Sequence, residues 1–182
     1  MKKRLVIFSG SNKLINDDQL NNNLKIIADN LDISKYQVWY GGGNTGIMGI
    51  IPKNFHYRNG EVYSIDAKQF YNKDQEVFGK TYVMDTFTER QNKLVEKGDI
   101  YLCLPGGVGT MSELFDVLVN NDVNKKDLKI IIYSYQNFYQ DIIKFIKNNI
   151  KSGYIREKIM KNIFVFENHE DIISFLNNFN KD

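Results

Sequence analysis

The run Ile100-Tyr101-Leu102-Cys103-Leu104-Pro105-Gly106-Gly107-Val108-Gly109-Thr110-Met111-Ser112-Glu113 changes character twice. Ile100–Leu104 is apolar throughout, reads as a strand, and ends at Pro105. Three glycines then turn the chain, and Ser112–Val119 begins a helix. A strand without polar alternation is buried on both faces, as in a parallel sheet covered by helices on either side. In such sheets ligands bind beyond the carboxyl ends of the strands, where the strand order reverses. The glycine turn after Leu104 stands at such an end.

The same alternation runs outward in both directions. Arg4–Phe8, Gln37–Tyr40, Glu61–Ile65, Thr81–Met84, Leu128–Tyr133 and Ile163–Phe166 read as further strands. Asp18–Leu31 places Leu20, Leu24, Ile27 and Leu31 on one helical face; Phe138, Ile142, Phe145 and Ile146 mark another amphipathic helix, and Asp171–Phe179 a closing one. The expected fold class is α/β, a Rossmann-like parallel sheet with helices on both faces, with residues 1–182 as one domain.

Bulk properties narrow the function. Hydrophobic residues are 42% and charged residues 25% of the 182, the balance of an ordinary globular chain. A formal net charge of +2 is too small to make nucleic acid or an acidic membrane the main partner. The one cysteine, Cys103, excludes an internal disulfide and reads as a buried strand thiol. After Met1-Lys2-Lys3-Arg4 the apolar run covers only Leu5 to Phe8, too short for a signal peptide or a membrane span. The expected location is cytoplasmic. His56 and His169 lack metal-spaced partners, so no metal site is expected.

Three strand ends carry the chemistry. Ser9-Gly10-Ser11-Asn12 follows the first strand, Gly41-Gly42-Gly43-Asn44-Thr45-Gly46-Ile47-Met48-Gly49 the second, and Pro105–Glu113 the apolar one. Glycines allow tight turns and close backbone approach. Successive N–H groups at a helix start attract phosphate. Gly41-x-Gly43-x-x-Gly46 also fits the dinucleotide fingerprint, with Asp66 near the place of a ribose-binding acid, but it follows the second strand and leaves the other glycine cluster unexplained. No P-loop is present. Thr110-x-x-Glu113 reads as a capping box, with Glu113 in the first helical turn over the glycine loop. Thr88-x-x-Gln91 reads as a second one, starting a helix that carries Arg90 toward the same crevice.

The pair Gly-Gly-Gly-x-x-Gly-x-Met-Gly at Gly41–Gly49 and Pro-Gly-Gly-x-Gly-Thr-x-x-Glu at Pro105–Glu113, with Glu89-Arg90-Gln91 between them, resembles the LONELY GUY (LOG) family of cytokinin-activating phosphoribohydrolases. Members of that family have long been labelled possible lysine decarboxylases. The resemblance implies an AMP-like nucleoside 5′-monophosphate as substrate, free base and ribose 5-phosphate as products, no cofactor, and a homodimer. It implies Arg90 and Glu113 as catalytic residues and Gly106, Gly107, Gly109 and Thr110 as the phosphate loop. Ser9, Gly42, Gly43, Thr45 and Met84 complete the expected substrate-binding set. Three positions depart from the family pattern: Gln91 stands where the family has lysine, Ser112 where it often has glutamate, and Ser9-Gly10-Ser11 where it commonly has Cys-Gly-Ser-Ser.

Two other classes compete. A non-catalytic nucleotide carrier or sensor would need the loops but not Arg90 with Glu113. A nicotinamide oxidoreductase would rest on the Gly41 fingerprint alone. Decarboxylation through pyridoxal phosphate would need a lysine, and neither glycine motif contains one.

Overall fold

The computed structural model describes residues 1–12 and 17–179. Strands Lys3–Phe8 (β1), Tyr36–Tyr40 (β2), Glu61–Ala67 (β3), Lys80–Met84 (β4), Ile100–Cys103 (β5), Lys129–Tyr133 (β6) and Ile163–Phe166 (β7) form one sheet in the order β4-β3-β2-β1-β5-β6-β7. Every neighbouring pair is parallel. The helices are Asp18–Asn30 (α1), Ile50–Tyr57 (α2), Phe87–Lys97 (α3), Val108–Val123 (α4), Gln140–Lys151 (α5) and His169–Asn178 (α6). Among the described residues, none is long and apolar enough to cross a membrane.

The two-residue period of a strand divides the core into two layers. Leu5 and Ile7 of β1 pack with Leu24, Ile27, Phe55 and Leu176, under α1, α2 and α6. Val6 and Phe8 pack with Leu94, Leu114, Val117 and Ile146, under α3, α4 and α5. Burying each such aliphatic or aromatic side chain contributes about 2 kcal/mol. Cys103 belongs to the second layer and is fully buried, which pushes its thiol pKa up.

Strand order reverses between β1 and β5, where Phe8 pairs with Cys103. Just beyond, Gly10 N–H donates to Pro105 C=O at 3.0 Å, tying the loops after these strands together. The crevice opens there.

Several local expectations are corrected. Helix α4 begins at Val108, four residues before Ser112, with Gly107 as its N-cap and no side-chain cap bond. Thr110 is therefore the third residue of the helix and Glu113 lies in its second turn, so the pair is not a capping box: the backbone of Val108 and Gly109 is already helical. The second capping box exists two residues earlier than read. Thr86 Oγ1 accepts from Glu89 N–H at 3.1 Å, and Glu89 Oε2 accepts from Thr86 N–H at 3.3 Å. Helix α2 follows the second glycine loop directly, with Gly49 as its N-cap; Pro52 sits in its first turn, where no helical N–H is needed. Phe138 precedes α5, and Phe138 and Phe145 are exposed, so Ile142, Ile143 and Ile146 make that helix's apolar face.

Candidate active site

A cleft of about 950 Å³ runs over the carboxyl ends of β3, β2, β1, β5 and β6. Ser9, Gly42, Gly43, Thr45, Gly106, Gly107, Gly109, Thr110, Arg90 and Glu113 all line it. Residues far apart in sequence meet here because parallel strands end on the same side.

Met84 is the exception among the expected residues. It ends edge strand β4 and packs into the core layer beneath α3–α5, outside the cleft lining. The residue from this segment that reaches the cleft is Phe87, in the first turn of α3.

The phosphate-type end of the cleft is the start of α4. First-turn N–H groups have no carbonyl partner within the helix and carry the positive end of its dipole. The glycines here have different tasks. A Cβ on Gly106 would collide with Thr110 Oγ1 and come within 2.9 Å of Gly10 N. Gly107 and Gly109 have nothing within 4 Å where a Cβ would stand, so their lack of side chains leaves room for a ligand. Ser9 Oγ is buried without a hydrogen-bond partner among the described residues, an orphaned polar group on the cleft wall. Thr45 Oγ1 donates to Ser11 C=O at 2.8 Å and links the second glycine loop to the first.

Arg90 lies in the middle of the cleft. Its Nε donates to Ile65 C=O at 3.1 Å, Nη2 to Gly41 C=O at 3.1 Å and Nη1 to Glu113 Oε1 at 3.3 Å. Its guanidinium carbon also lies 5.7 Å from the Phe87 ring centre. The backbone thus holds the guanidinium on two sides and aims the third at Glu113. Glu113 is only 7% exposed. Burial pushes its carboxyl up to about 7, against the opposing pull of Arg90. A carboxylate near neutrality beside a fixed cation is an arrangement suited to chemistry.

Asp66 is the third buried charge lining the cleft, 5% exposed. Its Oδ1 accepts from Ala67 N–H at 2.8 Å. Burial raises its pKa, opposed by that N–H and by Arg90. Among the described lining residues Arg90 is the one cation, against Asp17, Asp66 and Glu113. Attraction for an anion at α4 therefore comes mainly from backbone N–H groups.

Two departures from the family pattern prove to be neighbours. Gln91 Nε2 donates to Ser112 Oγ at 3.0 Å and to Asp116 Oδ2 at 3.4 Å. Neither Gln91 nor Ser112 lines the cleft. They form one polar link between α3 and α4 outside it.

Sequence reasoning missed the mouth formed by Tyr135, Gln136 and Phe138, which follows β6. The strand-end rule could have found it. Gln136 and Asn137 hold φ of 49° and 62°, a region unusual for residues with side chains and a mark of local strain.

A family described as possible lysine decarboxylase matches residues 35–176. Probable cytokinin riboside 5′-monophosphate phosphoribohydrolase LOGL2 of Oryza sativa subsp. japonica is 24% identical over 160 residues, covering 85% of this chain and 64% of that protein. Cytokinin riboside 5′-monophosphate phosphoribohydrolase LOG5 of Arabidopsis thaliana is 26% identical over 141 residues, 76% of this chain and 61% of that protein. The chain thus spans somewhat less than two thirds of each. For LOG2 of Arabidopsis thaliana the identity is 23% over 180 residues, with 96% and 82% covered. Among solved structures, the molybdenum cofactor carrier protein of Chlamydomonas reinhardtii superposes with a TM-score of 0.70 at 12% identity, over 97% of both chains. The molybdenum cofactor binding protein of Rippkaea orientalis gives 0.64 at 17% identity, over 97% of this chain and 96% of the other. At such identities the likeness concerns the fold. The family match over most of the chain, with both glycine motifs on one cleft, shows that the chain belongs to the possible lysine decarboxylase family, the family of the LOG proteins.

Proposed function

We propose that the protein hydrolyses the N-glycosidic bond of nucleoside 5′-monophosphates, releasing free base and ribose 5-phosphate. The observation that carries this is the buried Arg90–Glu113 pair in the middle of a cleft whose one end is an open, glycine-lined helix start. The relatives' names, cytokinin riboside 5′-monophosphate phosphoribohydrolases, support the same reaction class.

In this reading the 5′-phosphate sits on the N–H groups of Gly107, Val108, Gly109 and Thr110, with Ser9 Oγ as a further donor. Anchoring that remote group positions the anomeric carbon beside Glu113. The bond to the base breaks with positive charge developing on the ribose, and the Glu113 carboxylate stabilises that charge. Water adds to the anomeric carbon; its oxygen becomes the new hydroxyl and its proton balances the departing base. Arg90 holds Glu113 in place and offers hydrogen bonds to the bound nucleotide. No cofactor enters.

We further propose that the working unit is a cytoplasmic homodimer formed through α4. Val119 and Val123 on that helix are 55% and 66% exposed, and Val108 at its start 88%. A second copy presenting the same apolar stripe is a self-complementary cover for it.

The competing reading is a carrier of the same fold, the role in the names of the structural neighbours from Chlamydomonas and Rippkaea. A carrier has no need of a buried Arg90–Glu113 pair. Incubating the pure protein with a panel of nucleoside monophosphates, with chromatography for free base, separates the two. Release of base is expected; tight binding without release selects the carrier.

A further inference from the structure

Asp66 lies at the opposite end of the cleft from the phosphate-type helix start. It is the penultimate residue of β3, while α4 follows β5, with β2 and β1 between. Neighbouring strands are about 4.8 Å apart, so three spacings separate the two ends by roughly 14 Å. That is the reach of an extended nucleotide, and Arg90 and Glu113 fall between. A ligand with its phosphate at α4 and its ribose at Glu113 brings its base to Asp66.

The surroundings of Asp66 suit a base. Gly42 holds φ of +87°, a conformation that favours glycine, and a Cβ there would stand 3.1 Å from the Asp66 Cβ and 3.2 Å from Oδ2. The missing side chain leaves the carboxylate uncovered toward the cleft. Oδ1 is engaged by Ala67 N–H, whereas Oδ2 has no hydrogen-bond partner among the described residues. Phe70 and Phe87 meet edge to face at 5.9 Å and line the same end, an apolar wall for a flat ring. Gln75 reaches the same place, its Nε2 3.5 Å from where a Gly43 Cβ would be. The site therefore offers a stacking wall, one anionic acceptor and one amide.

We propose that Asp66 is a specificity residue: its free oxygen accepts a hydrogen bond from the exocyclic amine of the base, selecting 6-aminopurine and 4-aminopyrimidine nucleotides over their keto counterparts. A keto oxygen at that position would face the carboxylate lone pairs and leave a buried acceptor unpaired. The inference rests on the monophosphate reading above for the direction in which the ligand lies.

Calorimetry with AMP, IMP, CMP and UMP tests it, with ribose 5-phosphate as a probe of the phosphate and ribose half. The parent protein is expected to bind AMP over IMP, and CMP over UMP, by about tenfold or more. Asp66→Asn, whose amide can also donate, is expected to erase or reverse both preferences while ribose 5-phosphate affinity stays unchanged. A parent without amino-over-keto preference overturns the proposal, and this arm needs no variant to fold. An Asp66→Asn protein that loses affinity equally for all four nucleotides and for ribose 5-phosphate also overturns it, because Asp66 then holds the sugar. Failure of the hydrolase reading looks different: AMP is bound and preferred, but no adenine is released.

Discussion

Gly41 and Arg90 occupy one place between them. Arg90 Nη2 donates to the Gly41 carbonyl at 3.1 Å, and a Cβ on residue 41 would overlap that same nitrogen. The first glycine of the second loop thus serves the arginine before it serves any ligand. Gly41→Ala is expected to push the guanidinium out of its seat and away from Glu113. Base release should fall by about 10²-fold or more, the scale of losing a fixed electrostatic group. Far-ultraviolet circular dichroism should stay native, since residue 41 lies past the end of β2. Unchanged turnover in this variant would remove Arg90 from the mechanism.

Glu113 does not cap its helix, so its charge can be removed without the cost of a lost cap. Glu113→Gln is expected to bind the monophosphate normally and to lose base release by about 10²-fold or more. Arg90→Ala should lose base release, bind the monophosphate more weakly and melt lower. It leaves Glu113 buried without its cation and two backbone carbonyls, of Ile65 and Gly41, without a donor. Parent-like turnover by Glu113→Gln would refute the carboxylate's role.

The titration of Glu113 gives two linked pH effects. Its pKa is raised from an ordinary 4.5 to about 7 in the folded protein. Below about 4.5 both folded and unfolded chains hold the proton, and the group is neutral to stability. Between about 4.5 and 7 the folded state holds a proton that the unfolded state has released, so stability falls as pH rises through this window and levels off above it. Relative to Glu113→Gln, the parent's melting temperature should therefore decline from pH 5 to 7.5. Base release, which uses the ionised form, should climb across the same range. A parent profile parallel to that of Glu113→Gln in thermal melts would contradict this titration.

Gly106 and Gly107 separate the fold from phosphate binding. A Cβ at Gly107 meets no protein atom, and its φ of −88° suits any residue. Gly107→Ala should keep the parent melting temperature and weaken the monophosphate, since the methyl group enters the space left for the ligand. Gly106→Ala presses on Thr110 and on Gly10 N, so it should lower the melting temperature as well. Equal nucleotide affinity for Gly107→Ala and parent, by calorimetry, would move the phosphate elsewhere.

Val119→Lys tests the assembly. Val119 makes an exposed patch on α4, and a lysine there costs little in a monomer. Light scattering is expected to show a dimer for the parent and a monomer for the variant. A monomeric parent at working concentration would refute the dimer.

Much of this protein was legible along the chain. All seven strands were readable, because a run such as Ile130-Ile131-Ile132 cannot be soluble except inside a sheet covered on both sides. The glycine clusters were readable as strand-end loops, and Arg90 and Glu113 as their companions. Helix starts were less legible. Thr110-x-x-Glu113 and Thr88-x-x-Gln91 have the spacing of capping boxes, yet Gly107 and Thr86 hold the N-cap positions. Spacing shows that a cap is available, while the backbone angles of the preceding residues decide whether it is used.

Local pattern alone determined the layers, the parallel sheet and the loops at its carboxyl edge, since burial on two faces and tight turns are properties of adjacent residues. Which side chains share the cleft was decided by the tertiary structure. Met84 turns into the core and Phe87 takes the wall; Gln91 and Ser112, two separate departures in the chain, bond to each other outside the cleft. Asp66 becomes an uncovered acceptor only because Gly42 of a different strand end lies over it without a side chain. Such relationships depend on strand order and on the rotation of each helix against the sheet, which arise from packing the whole core at once and leave no trace in the spacing of residues.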